Sequence, residues 1–149
     1  MISQKNIQDF LKEKVIAIAG VSRNKQKFGN EIYKQLKIKG YTVYGINPNM
    51  TEIEGDKCYP DVSALPEKPG AVVCTVNKNN SLSIAMDTFN AGISKIWIQS
   101  GAESQEAIDY CIAKNMNVIY KECILMFAQP SGFHKFHRWV NGIFGKLPV

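Results

Sequence analysis

The sequence predicts an α/β fold in three layers: a parallel sheet of about five strands with helices on both faces, followed by a C-terminal amphipathic helix. Two observations predict it. Short runs that are apolar on both faces alternate with segments of helical periodicity, as strands buried beneath helices require. Glycine or asparagine then closes each long helical segment (Gly40, Gly92, Asn115), so the next strand can begin.

Ile7, Phe10 and Leu11 stand at helical spacing, which makes residues 3–12 a short amphipathic helix. Val15-Ile16-Ala17-Ile18-Ala19 follows and reads as a central parallel strand. A polar loop over 21–27 leads to Phe28, Ile32 and Leu36, the buried stripe of a helix that ends at Gly40. Residues 41–46 form the second strand. Residues 47–70 hold four of the six prolines and read as a long loop with room for a short edge strand. Residues 71–76 are the third core strand. Leu82, Ala85, Met86 and Phe89 mark a helix closed by Gly92, and 95–99 is a strand containing Trp97. Ala107, Ile108, Cys111 and Ile112 mark another helix, ended near Asn115, and 117–120 is the last strand. Strands and helices alternating at these lengths wind a parallel sheet with right-handed crossovers. Phe133, Phe136, Val140, Ile143 and Phe144 then give the terminal helix over 130–149. The chain reads as one domain, 1–149, with a core of about 14–126.

Composition narrows the function. With 149 residues, 45% hydrophobic and 21% charged, the chain has the make-up of a globular domain. Its net charge of +5 suits an anionic small molecule. The cations are scattered from Lys5 to Lys146, so nucleic acid is not the expected partner. The four cysteines (Cys58, Cys74, Cys111, Cys123) form no C-x-x-C pair and read as reduced thiols of the cytosol. No signal-peptide pattern opens the chain, and the longest apolar stretch, 15–21, falls well short of the ~20 residues of a membrane span. A soluble cytoplasmic protein is expected. His134 and His137 are the only histidines, no carboxylate or cysteine joins them locally, and no metal site is expected.

In an open parallel sheet, ligands sit beyond the carboxyl ends of the strands. Segments 20–29, 47–49, 75–79, 99–101 and 121–123 stand there. The first carries the strongest signal. Gly20 ends the first strand and lets the backbone approach a ligand. Ser22 can donate a hydroxyl. Gly29 begins a helix whose first N–H groups and dipole attract an anion. Arg23, Lys25 and Lys27 add positive charge around the mouth. The plainer alternative is a tight strand-to-helix turn with a solvated basic loop. The spacing differs from G-x-G-x-x-G: one residue separates Gly20 from Ser22, and six separate Ser22 from Gly29. A nicotinamide dinucleotide site places Asp or Glu at the end of the second strand. This chain has Asn47-Pro48-Asn49, with Glu52 and Glu54 soon after. A neutral end fits a ribose carrying an extra phosphate, which a carboxylate would repel. Coenzyme A and NADP both carry one.

The order and spacing of several segments resemble the coenzyme A-binding domain family, small Rossmann-like proteins similar to the N-terminal domain of the succinyl-CoA synthetase alpha subunit. The carriers are Ile18-Ala19-Gly20-Val21-Ser22-Arg23, Lys27-Phe28-Gly29, Gly40-Tyr41 with Val43-Tyr44, and Ile46-Asn47-Pro48-Asn49. They continue with Gly55, Lys57-Cys58-Tyr59-Pro60, Ile96-Trp97-Ile98-Gln99-Ser100-Gly101 and Cys123-Ile124. The resemblance covers about 14–126. It implies that Gly20, Ser22, Lys27 and Gly29 hold a diphosphate, with Arg23 and Phe28 in the same matching segments. Asn47 and Pro48 would line the adenosine end. Thr75 and Val76 would lie along the pocket floor, and Gln99, Ser100 and Gly101 on its far wall. Many relatives carry an arginine with prolines after the third core strand. Here Thr75-Val76-Asn77-Lys78-Asn79 leaves Lys78 to supply that charge, less directionally. Before Cys123, where many relatives have Asn or Arg, stands Glu122.

Cys123 follows the last strand at the ligand edge. Its thiol could meet the cofactor's own thiol in a mixed disulfide, or serve as a small packing residue. Cys74 and Cys111 fall in core periods. The synthetase relatives pass phosphate through a histidine on a second domain, and no histidine precedes residue 134 here. The expected function is therefore a binding module for coenzyme A or an acyl-CoA, without acyl-ligase activity of its own. The alternative is an NADP- or NAD-binding oxidoreductase or redox-sensing module, against which the sequence is read as offering no acid–base pair in reach of a substrate, such as a Tyr-x-x-x-Lys motif. The terminal helix is expected to dock on its own chain or form a homodimer face, with a partner protein or a membrane surface as the alternatives.

Overall fold

A computed structural model describes residues 2–24 and 26–128. The apolar runs become strands because helices cover them on both sides. β1 (Val15–Ala19), β2 (Thr42–Ile46), β5 (Ala71–Cys74), β6 (Lys95–Gln99) and β7 (Asn117–Glu122) run parallel, as expected. Two further strands, β3 (Glu52–Ile53) and β4 (Asp56–Tyr59), lie in the stretch read as loop. The sheet has seven strands in the order β3-β4-β2-β1-β5-β6-β7, and only the β3–β4 pair is antiparallel among the described residues. That pair is a hairpin turned by Glu54 and Gly55, both with positive φ, +48° and +83°. Glu-Gly is a weak hairpin signal beside Asn-Gly, and strands this short show no periodicity.

Alternation divides each strand between two cores. Ile16, Ile18 and Trp97 face α1 (Gln4–Leu11) and α2 (Phe28–Ile38), and pack with Phe10, Ile32 and Leu36. Ile96 and Ile98 face α3 (Ser81–Asn90) and α4 (Gln105–Ala113), and pack with Ala85 and Cys111. The Trp97 ring meets Phe10 edge-on at 5.4 Å, and its Nε1 donates to the Glu122 carbonyl at 3.0 Å. Helices stop where left-handed backbone is accepted: Gly40 (φ +98°), Gly92 (+81°) and Asn115 (+59°).

β5 is shorter than predicted. It ends at Cys74, and Thr75 and Val76 leave the sheet at the edge where the site lies. The amphipathic helix expected over 130–149, with its docking or dimer face, lies outside the described residues, as do His134 and His137. No helix among the described residues is long and apolar enough to cross a membrane.

Candidate functional site

The chain leaves β1 through α2 to reach β2 on one side, and β5 lies on the other side of β1. Connections therefore diverge above the carboxyl ends of β1 and β5, which opens a crevice there. The register sets Ala19, Ile46 and Cys74 level at that edge. Ile46 is also level with Tyr59, so the residues after β4 reach the same edge.

Gly20, Gly29 and Thr75 meet at the crevice. Gly20 has φ +111°, and a Cβ on it would stand 2.8 Å from both the Thr75 carbonyl carbon and the Val76 nitrogen. A Cβ on Gly29 would stand 2.6 Å from Thr75 Oγ1 and 3.0 Å from the Gly20 oxygen. Both positions thus need glycine so that the start of α2 can press against the strand ends. Thr75 secures the contact: its N–H and its Oγ1 both donate to the Ala19 carbonyl, at 2.8 and 2.9 Å.

The loop after β1 is clamped from two sides. Asn30, fully buried on α2, accepts from the Ser22 N–H and donates to the Ser22 carbonyl, both at 2.7 Å. Asn47 donates through Nδ2 to the Val21 carbonyl at 2.7 Å, and its Oδ1 accepts from the Asn49 N–H at 2.8 Å. The Ser22 hydroxyl accepts from the Asn24 N–H at 3.1 Å, which leaves its own proton to donate. Lys27 stands at the N-cap of α2 without a side-chain cap, so the positive end of the helix faces the loop.

Two cavities adjoin along this edge and share Gly20, Asn47 and Val76. One, of about 490 Å³, takes in Ser22, Lys27, Phe28 and Gly29 on one wall, Thr75 on its floor, and Gln99, Ser100 and Gly101 opposite. Lys27 is the one charged residue among its described lining. The other, of about 540 Å³, takes in Pro48 and Asn49, then Asp61, Val62, Ile84 and Asp87. Gln99 is 3% exposed. Its Oε1 accepts from the Ile124 N–H at 3.1 Å, and its Nε2 has no acceptor among the described residues.

Twelve of the sequence-predicted residues thus line the joined cavities. Arg23 and Cys123 do not. Arg23 Nη2 donates to the Asn49 carbonyl at 2.5 Å and borders a separate hollow with Glu52 and Glu54. Cys123 is 1% exposed in the α1–α2 core, where burial pushes its thiol pKa up. Lys25 is outside the described residues. Lys78 is exposed and lines neither cavity.

Asn30, Asp61 and Asp87 were not legible as site residues. Asp61 is far from β2 in sequence and arrives only because β4 pairs with it. Tyr-x-x-x-Lys spacing does occur, at Tyr33 and Lys37 and at Tyr110 and Lys114, but neither pair is in the described lining of the two joined cavities. Tyr33 instead donates to Asp56 Oδ2 at 2.6 Å, and burial, reinforced by that carboxylate, drives its pKa upward. Among the described residues, no group of three His, Cys, Asp or Glu is placed to hold a metal ion.

The arrangement can bind an anion against Lys27 and α2 and extend a ligand to either side. Comparison with known proteins agrees in kind. A family described as "CoA binding domain" matches residues 14–129. The acetate–CoA ligase (ADP-forming) II of Archaeoglobus fulgidus is 25% identical over 140 residues, 93% of this chain but 20% of the ligase. Across three curated ligases the match spans 9 to 28% of their length. A conserved hypothetical protein from Pyrococcus furiosus superposes with a TM-score of 0.72 at 38% identity, covering 76% of this chain and 97% of that one. The dinucleotide-forming acetyl-coenzyme A synthetase 1 of Ca. Korarchaeum cryptofilum superposes with a TM-score of 0.62 at 30% identity, covering 70% of this chain and 25% of that one.

Proposed function

Since the chain belongs to the CoA-binding domain family, we propose that it holds coenzyme A or an acyl-CoA along the carboxyl edge of its sheet without transferring the acyl group itself. The observation that carries this is the continuous groove. Its lining runs from the residues after β4 to those after β6, about 19 Å at the usual strand spacing. The diphosphate sits against Gly20, Ser22, Lys27 and Gly29, beside the N-terminus of α2. The nucleotide lies over Asn47 and Pro48. The pantetheine arm runs past Val76 towards the wall formed by Gln99, Ser100 and Gly101. The core over 14–126 is the holding unit. All four cysteines are free and buried, which supports a reducing, cytoplasmic setting.

Titration calorimetry with coenzyme A tests the proposal. Saturable heat and a rise in Tm are expected, the latter growing with ligand excess. Absence of both at millimolar ligand removes the reading. Formation of acetyl-CoA from acetate, ATP and coenzyme A by the chain alone would remove its second half.

A further inference from the structure

The loop after β1 sends two cations in different directions. Lys27 lines the phosphate-side cavity. Arg23 turns the other way, and its Nη2 donates to the Asn49 carbonyl at 2.5 Å. Asn49 itself lines the nucleotide-side cavity, with Asn47 and Pro48. The guanidinium therefore stands at the rim of that cavity. Both ends of the contact are anchored. The Asn30 amide holds the backbone of Ser22, next to Arg23, and Asn47 Oδ1 accepts from the Asn49 N–H. Glu52 and Glu54 border the hollow beside Arg23, yet neither forms an ion pair with it. One N–H of the guanidinium is thus used, on a neutral carbonyl, and the other four have no partner among the described residues. Asp61 and Asp87 do not compete for it. They stand where the cavity adjoins a hollow of about 270 Å³, whose described lining holds none of Asn47, Pro48 and Asn49.

We infer that Arg23 takes the phosphate on the ribose of the nucleotide, so that the groove selects coenzyme A over dephospho-coenzyme A. The inference rests on the coenzyme reading above and adds a residue that sets its specificity. A guanidinium presents parallel N–H groups that match two oxygens of one phosphate, and such charge-assisted bonds outweigh one bond to a neutral carbonyl. Arg23 is exposed, so its tip turns from the hollow to the rim without disturbing the core. Two cations on one loop then meet the two phosphate-bearing parts of the coenzyme: Lys27 the diphosphate, Arg23 the ribose phosphate.

The test is titration of the full chain at low salt with coenzyme A and dephospho-coenzyme A, in the unaltered protein and in Arg23→Gln. The replacement removes the charge but keeps a long side chain with an amide donor, and thermal melts check that the fold is retained. The unaltered chain is expected to bind coenzyme A about tenfold more tightly than its dephospho form. In Arg23→Gln, coenzyme A should weaken to the level of the dephospho form, whose own affinity should not move. Equal binding of the two forms by the unaltered chain overturns the inference. So does a preference that survives in the variant, or an equal loss of both ligands. If neither coenzyme form binds, the coenzyme A reading falls, and NADP against NAD, which also differ by a ribose phosphate, decides the inference. A preference for NADP that Arg23→Gln abolishes sustains it, and any other result overturns it.

Discussion

Replacing Asn30 with Ala should loosen the phosphate loop from outside the cavity. The Asn30 amide makes two 2.7 Å hydrogen bonds to the backbone of Ser22 and is itself fully buried. Each such bond contributes about 1 kcal/mol net. Water can reach half-buried Ser22 and compensate in part, so the loss is about 2 kcal/mol rather than the full desolvation cost. For a chain of this size that lowers Tm by roughly 8 °C. A loop that must be ordered by its ligand also binds more weakly, by about tenfold. Thermal melts and titration with coenzyme A read the two effects. Ile7→Val is the control. It trims a buried side chain on α1, which Lys95 and Asn117 hold at the opposite edge of the sheet, and costs about 1 kcal/mol. Its affinity should not move. An unchanged Tm in Asn30→Ala, or equal weakening in Ile7→Val, would refute the clamp.

Other perturbations follow from the same geometry. Gly29→Ala sets a Cβ 2.6 Å from Thr75 Oγ1, and should cost about 1–3 kcal/mol in urea unfolding and abolish ligand heat. Hydrogen bonding from Lys12, aided by Lys95, holds the Asp9 carboxyl below its ordinary value, and Lys37 with Tyr33 does the same for Asp56. Their folded pKa values are depressed, so this stability is present above about pH 4 and is lost as pH falls through the folded values. Tm measured from pH 7 to 2 should therefore fall at the acid end, and less steeply in Asp56→Asn. Burial raises all four thiol pKa values, so thiol reagents should label none of them quickly until the protein unfolds. Rapid native labelling of Cys123 would instead restore its reading as a reactive thiol.

Local pattern alone determined much of this protein. The apolar runs at 15–19, 71–74 and 95–99 demand cover on both faces, and the helices between them end where glycine or asparagine accepts positive φ. These are preferences of windows about ten residues long, so they are written in the chain. The loop from Gly20 to Gly29 was legible for the same reason, since strand, turn and helix are consecutive. What the tertiary structure decided was which distant segments share the carboxyl edge. β4 settles beside β2 through a hairpin too short to show periodicity, and it carries Asp61 to a place that looked neutral beside Asn47 and Pro48. Asp87 arrives on a helix whose apolar stripe reveals only its buried side. Arg23 turns to the Asn49 carbonyl, and Cys123 turns into the core. Strand order and side-chain direction depend on contacts between residues far apart in the chain, and no window of sequence contains both partners.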